Sequence, residues 1–180
     1  MDRPRFRHVT GTVVPIADRS VIEHLPPHHL DTCFGCGPLN EARLGIHPRY
    51  EGDLVVAEIE FHPRFEGGPG LVHGGAIAAF FDDLIGFVSM AHQRPAVTAK
   101  LEVNYLRPIP LGVTVRGEAW LAGDDGRKLY AEAVGFGPGG VVHVEVAGLF
   151  IEVGIEHFTR ALEAPTPYPA SIYRSDEYYP

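Results

Sequence analysis

The sequence predicts an α+β domain in which a curved antiparallel sheet wraps around one long buried helix. Three observations carry this expectation. The stretch from His73 to about Met90 (HGGAIAAFFDDLIGFVSM) leaves no polar face, because Ile77, Phe80, Phe81, Leu84, Ile85, Phe87 and Val88 surround it. A helix of that kind is buried on every side. Five other segments read as strands. The last four follow the helix through short connections, which imply antiparallel neighbours.

Taken in order, Leu54 to Phe61 (LVVAEIEF) alternates like a half-buried strand, and Gly67 to Gly70 is a Gly/Pro loop before the helix. The later strands are Ala96–Leu106, Val113–Ala122, Lys128–Phe136 and Val141–Val153, separated by RPIPLG, GDDGR and GPGG. GDDG between two alternating runs is a hairpin signal. Residues 1–49 are rich in Pro and His without a sustained period and read as an N-terminal extension. The domain itself spans 50–155, and 156–180, ending APTPYPASIYRSDEYYP, reads as a Pro/Tyr-rich C-terminal tail. No internal repeat is present.

At 180 residues, 45% hydrophobic and 21% charged, the chain excludes a disordered, coiled-coil or collagen-like class. No run approaches 18 unbroken apolar residues, and no apolar stretch follows the charged start MDRPRFRHVT, so neither a membrane span nor a secretory signal is expected. A formal charge of −8 argues against nucleic acid as a partner. Two cysteines, Cys33 and Cys36, are too few for a secreted disulfide framework. A cytoplasmic location is expected.

Chemistry is concentrated in and around the greasy helix. Asp82 and Asp83 sit at its middle, where an ionised carboxylate without partners is costly. On a helical wheel Asp82 shares a stripe with Gly75, Ala78, Ala79, Gly86 and Ser89, small residues that admit a ligand or another backbone. Asp83 shares one with Ala76, Ala79, Phe80, Phe87 and Met90, a bulkier packing face, and reads as structural. At the helix start, His73-Gly74-Gly75 exposes backbone N–H groups where the helix dipole is positive. That arrangement can hold a carbonyl oxygen as it gains charge. The eight residues from Gly74 to Asp82 span about 12 Å of straight helix, too far for both to act on one carbonyl. A shared site in at least a dimer is therefore expected. The group His24, His28, His29, Cys33 and Cys36 could ligate a metal. A single C-x-x-C with loosely spaced histidines lacks the second ligand pair of zinc spacing. A hydrophobic flap with buried thiols, and no metal, is the expectation.

GLVHGGAIAAFFDDLIGF followed by TAKLEVNYLRPIPLG resembles the hotdog-fold acyl-CoA thioesterases, over roughly Leu54 to Val153. The nearest likeness is to the phenylacetate-pathway branch and related thioesterase-superfamily members, and CFGCGP is similar to a segment of many bacterial relatives. The resemblance implies a hotdog fold and Asp82 as the catalytic carboxylate. It also implies Gly74, in the His73-Gly74-Gly75 motif, as oxyanion donor and Thr98 as the residue that places the water. Coenzyme A contacts would fall on Gly75, Asn104, Tyr105, Arg107, Pro108, Arg127 and Lys128, whose cations suit phosphates. It further implies acyl-CoA as substrate, no cofactor beyond it, and a homodimer or dimer of dimers. Asp82 would act as general base on water or as nucleophile. A binding module that senses acyl-CoA without hydrolysis, and a hotdog dehydratase, are the alternatives. Two departures stand out. Relatives often carry an Asn or Gln before the histidine, where this chain has Glu66-Gly67-Gly68-Pro69. After CFGCGP it has Asn40-Glu41-Ala42-Arg43 in place of Asn-Pro-x-Gly.

Overall fold

A computed structural model describes residues 12–20, 22 and 29–158. His24, His28 and the tail beyond residue 158 lie outside the described residues. The elements are β1 (Arg49–Glu51), β2 (Leu54–Glu60), α1 (Gly74–Ala91), β3 (Ala96–Tyr105), β4 (Thr114–Asp125), β5 (Lys128–Phe136) and β6 (Val142–Glu152). The helix and the five expected strands all form. β1 was not expected. It pairs with β2 through Tyr50–Val55, across a turn in which Gly52 adopts φ 63°.

All pairings are antiparallel, but the spatial order β1-β2-β4-β5-β6-β3 corrects the reading of short connections as neighbour pairings. β3 and β4 are joined by a short loop and yet never pair. β4 lies against β2, and β3 takes the far edge against β6. Three strand spacings of about 4.8 Å separate β4 from β3, roughly 14 Å. The Leu106–Val113 connection spans that easily because the sheet curls around the helix. The loop is held at the helix start, where Val72 donates to Ile109 O (2.9 Å) and Leu111 to Gly70 O (2.9 Å).

α1 fills the concave face. Phe80, Phe81, Leu84, Ile85 and Phe87 are fully buried. The sheet makes room with glycines: a Cβ on Gly117 would lie 2.6 Å from Leu84, on Gly135 2.6 Å from Phe81, and on Gly148 2.4 Å from Ile85. These three positions, on β4, β5 and β6, let the backbone approach the helix. By length and hydropathy α1 could cross a bilayer; in this fold it is the core helix. The segment before β1 completes its cover. Leu44, Ile46, Cys36 and Ile16 belong to the core, and Val14 donates to Leu121 O (2.8 Å). Residues 29–46 are thus part of the packed body, not an appendage.

Candidate active site

The start of α1 is assembled by its preceding loop. The Glu66 carboxylate accepts from the Gly70 N–H (2.6 Å), and the His73 N–H donates to Phe65 O (2.8 Å). Glu66 braces the loop. His73 is the N-cap: its backbone is extended and its Nδ1 accepts from the Gly75 N–H (2.9 Å). The Gly75 amide is therefore taken. The Gly74 amide has no hydrogen-bond partner among the described residues, while the Gly74 carbonyl accepts from the Tyr105 hydroxyl (2.8 Å). The brace from Tyr105 was not foreseen; no local pattern announces a hydroxyl that reaches back across the fold. What remains at this end is one aimed N–H at a positive helix terminus.

His73 thus has a capping role that a simple exchange can isolate. His73→Asn keeps a side-chain acceptor and should hold melting temperature and turnover near the parent values. His73→Ala should lose about 0.5–1 kcal/mol of stability, as other lost caps do. Thermal melts and kcat check this; a large fall in kcat for His73→Asn would give the ring a part in the chemistry.

Asp82 points to β3, the edge strand of the sheet among the described residues. The Thr98 hydroxyl donates to Asp82 Oδ1 (3.0 Å), and the β3–β6 register slips between Thr98 and Lys100. A bulge of this kind re-aims side chains next to a site. Asp82 is half-buried and Thr98 exposed. Asp83 turns away from both, towards the N-terminal segment, where its Oδ1 lies 3.0 Å from His29 Nδ1. The two carboxylates therefore occupy separate faces. α1 runs unbroken from Gly74 through Asp82, so the separation of about 12 Å stands.

The basic residues are not gathered in one chain. β3 starts at Ala96 opposite Glu152 and ends at Tyr105 opposite Val144. Lys128 pairs with Ile151 at the first end, next to Arg127, whose guanidinium donates to Glu152 O (3.1 and 3.0 Å). Arg107 follows Tyr105 at the other end and donates to Val142 O. Nine residues at about 3.3 Å put roughly 30 Å between the two groups. Within a single chain, Arg107 is therefore far from Arg127 and Lys128. Arg107 shares the end that holds Gly74, as do exposed Pro108 and half-buried Asn104 on β3. Leu71, Tyr105, Leu106 and Val141 form an exposed apolar rim there.

The sequence model of the thioesterase superfamily matches residues 69–135. An acyl-coenzyme A thioesterase of Xenopus laevis, THEM4, is 34% identical over 88 residues, covering 48% of this chain and 40% of its own length. The chain thus spans well under two thirds of that relative. A crystal structure of a thioesterase superfamily protein superposes with a TM-score of 0.65 at 26% identity, covering 82% of this chain and 73% of the other. A Streptococcus mutans protein solved bound to acetyl CoA gives a TM-score of 0.57 at 21% identity, covering 61% and 89%. Both superpositions show a shared fold.

Proposed function

We propose, for a chain whose central domain is a hotdog domain of the thioesterase superfamily, that it hydrolyses acyl-CoA thioesters to the free acid and coenzyme A. The observation that carries this reading is the Gly74 amide at the N-terminus of α1, without a hydrogen-bond partner among the described residues, in a chain that also holds a carboxylate, Asp82, fixed by Thr98 on the edge strand of the described sheet. The THEM4 relative's name and the acetyl CoA bound to a structural neighbour support the substrate class.

The chemistry follows from the two groups. The thioester carbonyl accepts from the Gly74 N–H, and the helix dipole favours the negative charge that develops on its oxygen. With Oδ1 of Asp82 held by Thr98, Oδ2 takes a proton from a water that attacks the carbonyl carbon. The tetrahedral intermediate collapses, the carbon–sulfur bond breaks, and the proton on Asp82 passes to the leaving coenzyme A thiolate. No redox group takes part in this scheme.

Two chains are needed. β3 is a ten-residue edge strand with Thr98, Ala99 and Lys100 exposed, and a long open edge favours pairing with another chain. Two copies joined antiparallel along β3 set Gly74 of one protomer against Asp82 of its partner. The same inversion carries Arg127 and Lys128 of the partner towards Arg107, which restores one cationic site for the coenzyme phosphates.

Arg107→Ala should raise KM for acyl-CoA far more than it lowers kcat, the signature of a contact made equally in ground and transition states. Steady-state kinetics check this; an unchanged KM removes Arg107 from the coenzyme site. The activity itself is tested by incubating the purified protein with acyl-CoAs of graded chain length and a thiol reagent. Release of free thiol is expected, and none above background with any chain would sink the reading.

A further inference from the structure

Away from Gly74 and Asp82, four metal-binding side chains converge on one point. The Nδ1 of His29, the Sγ atoms of Cys33 and Cys36, and a carboxylate oxygen of Asp83 all lie within 4.8 Å of one another. Four of the six edges are short: His29 Nδ1 to Asp83 Oδ1 is 3.0 Å, Cys33 Sγ to Asp83 Oδ1 3.6 Å, Cys36 Sγ to His29 Nδ1 3.6 Å, and Cys33 Sγ to His29 Nδ1 4.0 Å. A zinc tetrahedron with bonds of about 2.0–2.3 Å has edges of about 3.3–3.8 Å. The geometry points to a closed structural site for a divalent transition-metal ion, zinc by its ligand chemistry, held by His29, Cys33, Cys36 and Asp83.

The surroundings are built for it. The Cys33–Cys36 turn is closed by the Gly37 N–H donating to Cys33 O (2.9 Å), and the His29 N–H points at Cys36 Sγ (3.2 Å). An amide aimed at a sulfur stabilises the thiolate that a metal requires. Neither glycine of the motif tolerates a side chain: a Cβ on Gly35 would lie 2.3 Å from the Asp83 carboxyl, and on Gly37 2.3 Å from Cys33 N. The His29 ring stacks on Phe87 with centroids 4.2 Å apart, which sets its orientation. Both cysteines are free thiols.

The site also accounts for a carboxylate that the proposed hydrolysis leaves idle. Asp83 Oδ2 is buried with no hydrogen-bond partner among the described residues, a position an ion would satisfy. Burial pushes the Asp83 carboxyl up from its usual range, against the opposing pull of His29. A cation at the centre would favour the charged carboxylate and both thiolates at once. The ligand pair missing from C-x-x-C in the sequence is supplied by His29 and, from the middle of α1, by Asp83. Four protein ligands leave no open position, so the ion would fasten residues 29–37 onto the helix instead of activating water. Two thiolates and one imidazole favour zinc over magnesium or calcium.

The test uses the full chain, purified reduced and without added chelator, with metal content measured by mass spectrometry. One zinc per chain is expected. Cys33→Ser and Asp83→Asn should each lose the metal, while Asp82→Asn, on the other face of the helix, should keep it. Should the ligand variants fail to fold, parent protein stripped of metal and titrated with cobalt(II) gives an independent reading. Thiolate-to-cobalt charge-transfer absorption saturating at one ion per chain supports the site. Parent protein that carries no metal and shows no such absorption on titration overturns it. So does formation of a Cys33–Cys36 disulfide with zinc present in excess. None of these readouts depends on thioesterase activity, so this site and the proposed hydrolysis can fail separately.

Discussion

Asp82→Asn leaves the fold intact and lowers kcat for acyl-CoA hydrolysis by about 10²–10⁴-fold, the usual loss for a general base. The exchange is nearly isosteric, and the amide oxygen of Asn still accepts from the Thr98 hydroxyl that now meets Asp82 Oδ1 at 3.0 Å. The change lies off the fully buried faces of α1, so the melting temperature should barely move. What is lost is the ability to take a proton from water. Asp83→Asn, facing His29 and the two cysteines, should cost far less in kcat and disturb the N-terminal segment instead. Steady-state kinetics on both variants decide the assignment. If the larger fall in kcat belongs to Asp83, the base is on the wrong face of the helix and the proposed mechanism fails.

Mixing two inactive chains should restore activity. One chain carries Asp82→Asn and keeps its Gly74 amide. The other carries Gly74→Pro and keeps its carboxylate. Gly74 is the first residue of α1, and His73 before it is extended at φ −64°, ψ 132°. Proline suits the first helical position and an extended residue before it. A Cβ at Gly74 would meet Tyr105 at an ordinary 3.6 Å. The substitution therefore deletes one N–H without unseating the helix. Loss of an oxyanion donor costs about 10²–10³-fold in kcat, so each parent should be nearly silent. In a mixed two-fold dimer the intact Gly74 of one chain faces the intact Asp82 of the other, and one of the two sites works. Activity appearing with subunit exchange, in proportion to the mixed species resolved by native mass spectrometry, is the expected result. Verified mixed dimers as silent as the parents would refute the shared site, and a fully active monomer would refute it outright.

Much of this site is legible in the order of residues. His73-Gly74-Gly75 at the head of an apolar stretch marks a helix start with exposed amides, because glycine carries no side chain to cover them. The wheel separates Asp82 from Asp83, because helical periodicity is a local property. The contacts that complete the site are not local. Tyr105 braces Gly74 from the end of β3, and Thr98 reaches Asp82 through a bulge that the alternation of β3 does not reveal. Arg107 and Arg127 look like one cationic set in sequence, yet the β3–β6 and β5–β6 registers put them at opposite ends of the sheet.

The sequence by itself determined the helix, five strands and the small-residue stripe that carries Asp82, because each rests on a repeat of hydrophobic side chains along a few turns or pleats. Only the tertiary structure decided that β3 closes the far edge against β6, that His29, Cys33 and Cys36 meet Asp83, and that Gly75 spends its amide on His73 while Gly74 keeps its own. The reason is packing. Glycines at 117, 135 and 148 let the sheet curl onto Phe80, Phe81, Leu84 and Ile85, and that curvature brings residues distant in the chain within bonding reach. A local period specifies which face of an element is apolar; which partner that face meets depends on how the whole sheet bends around the helix.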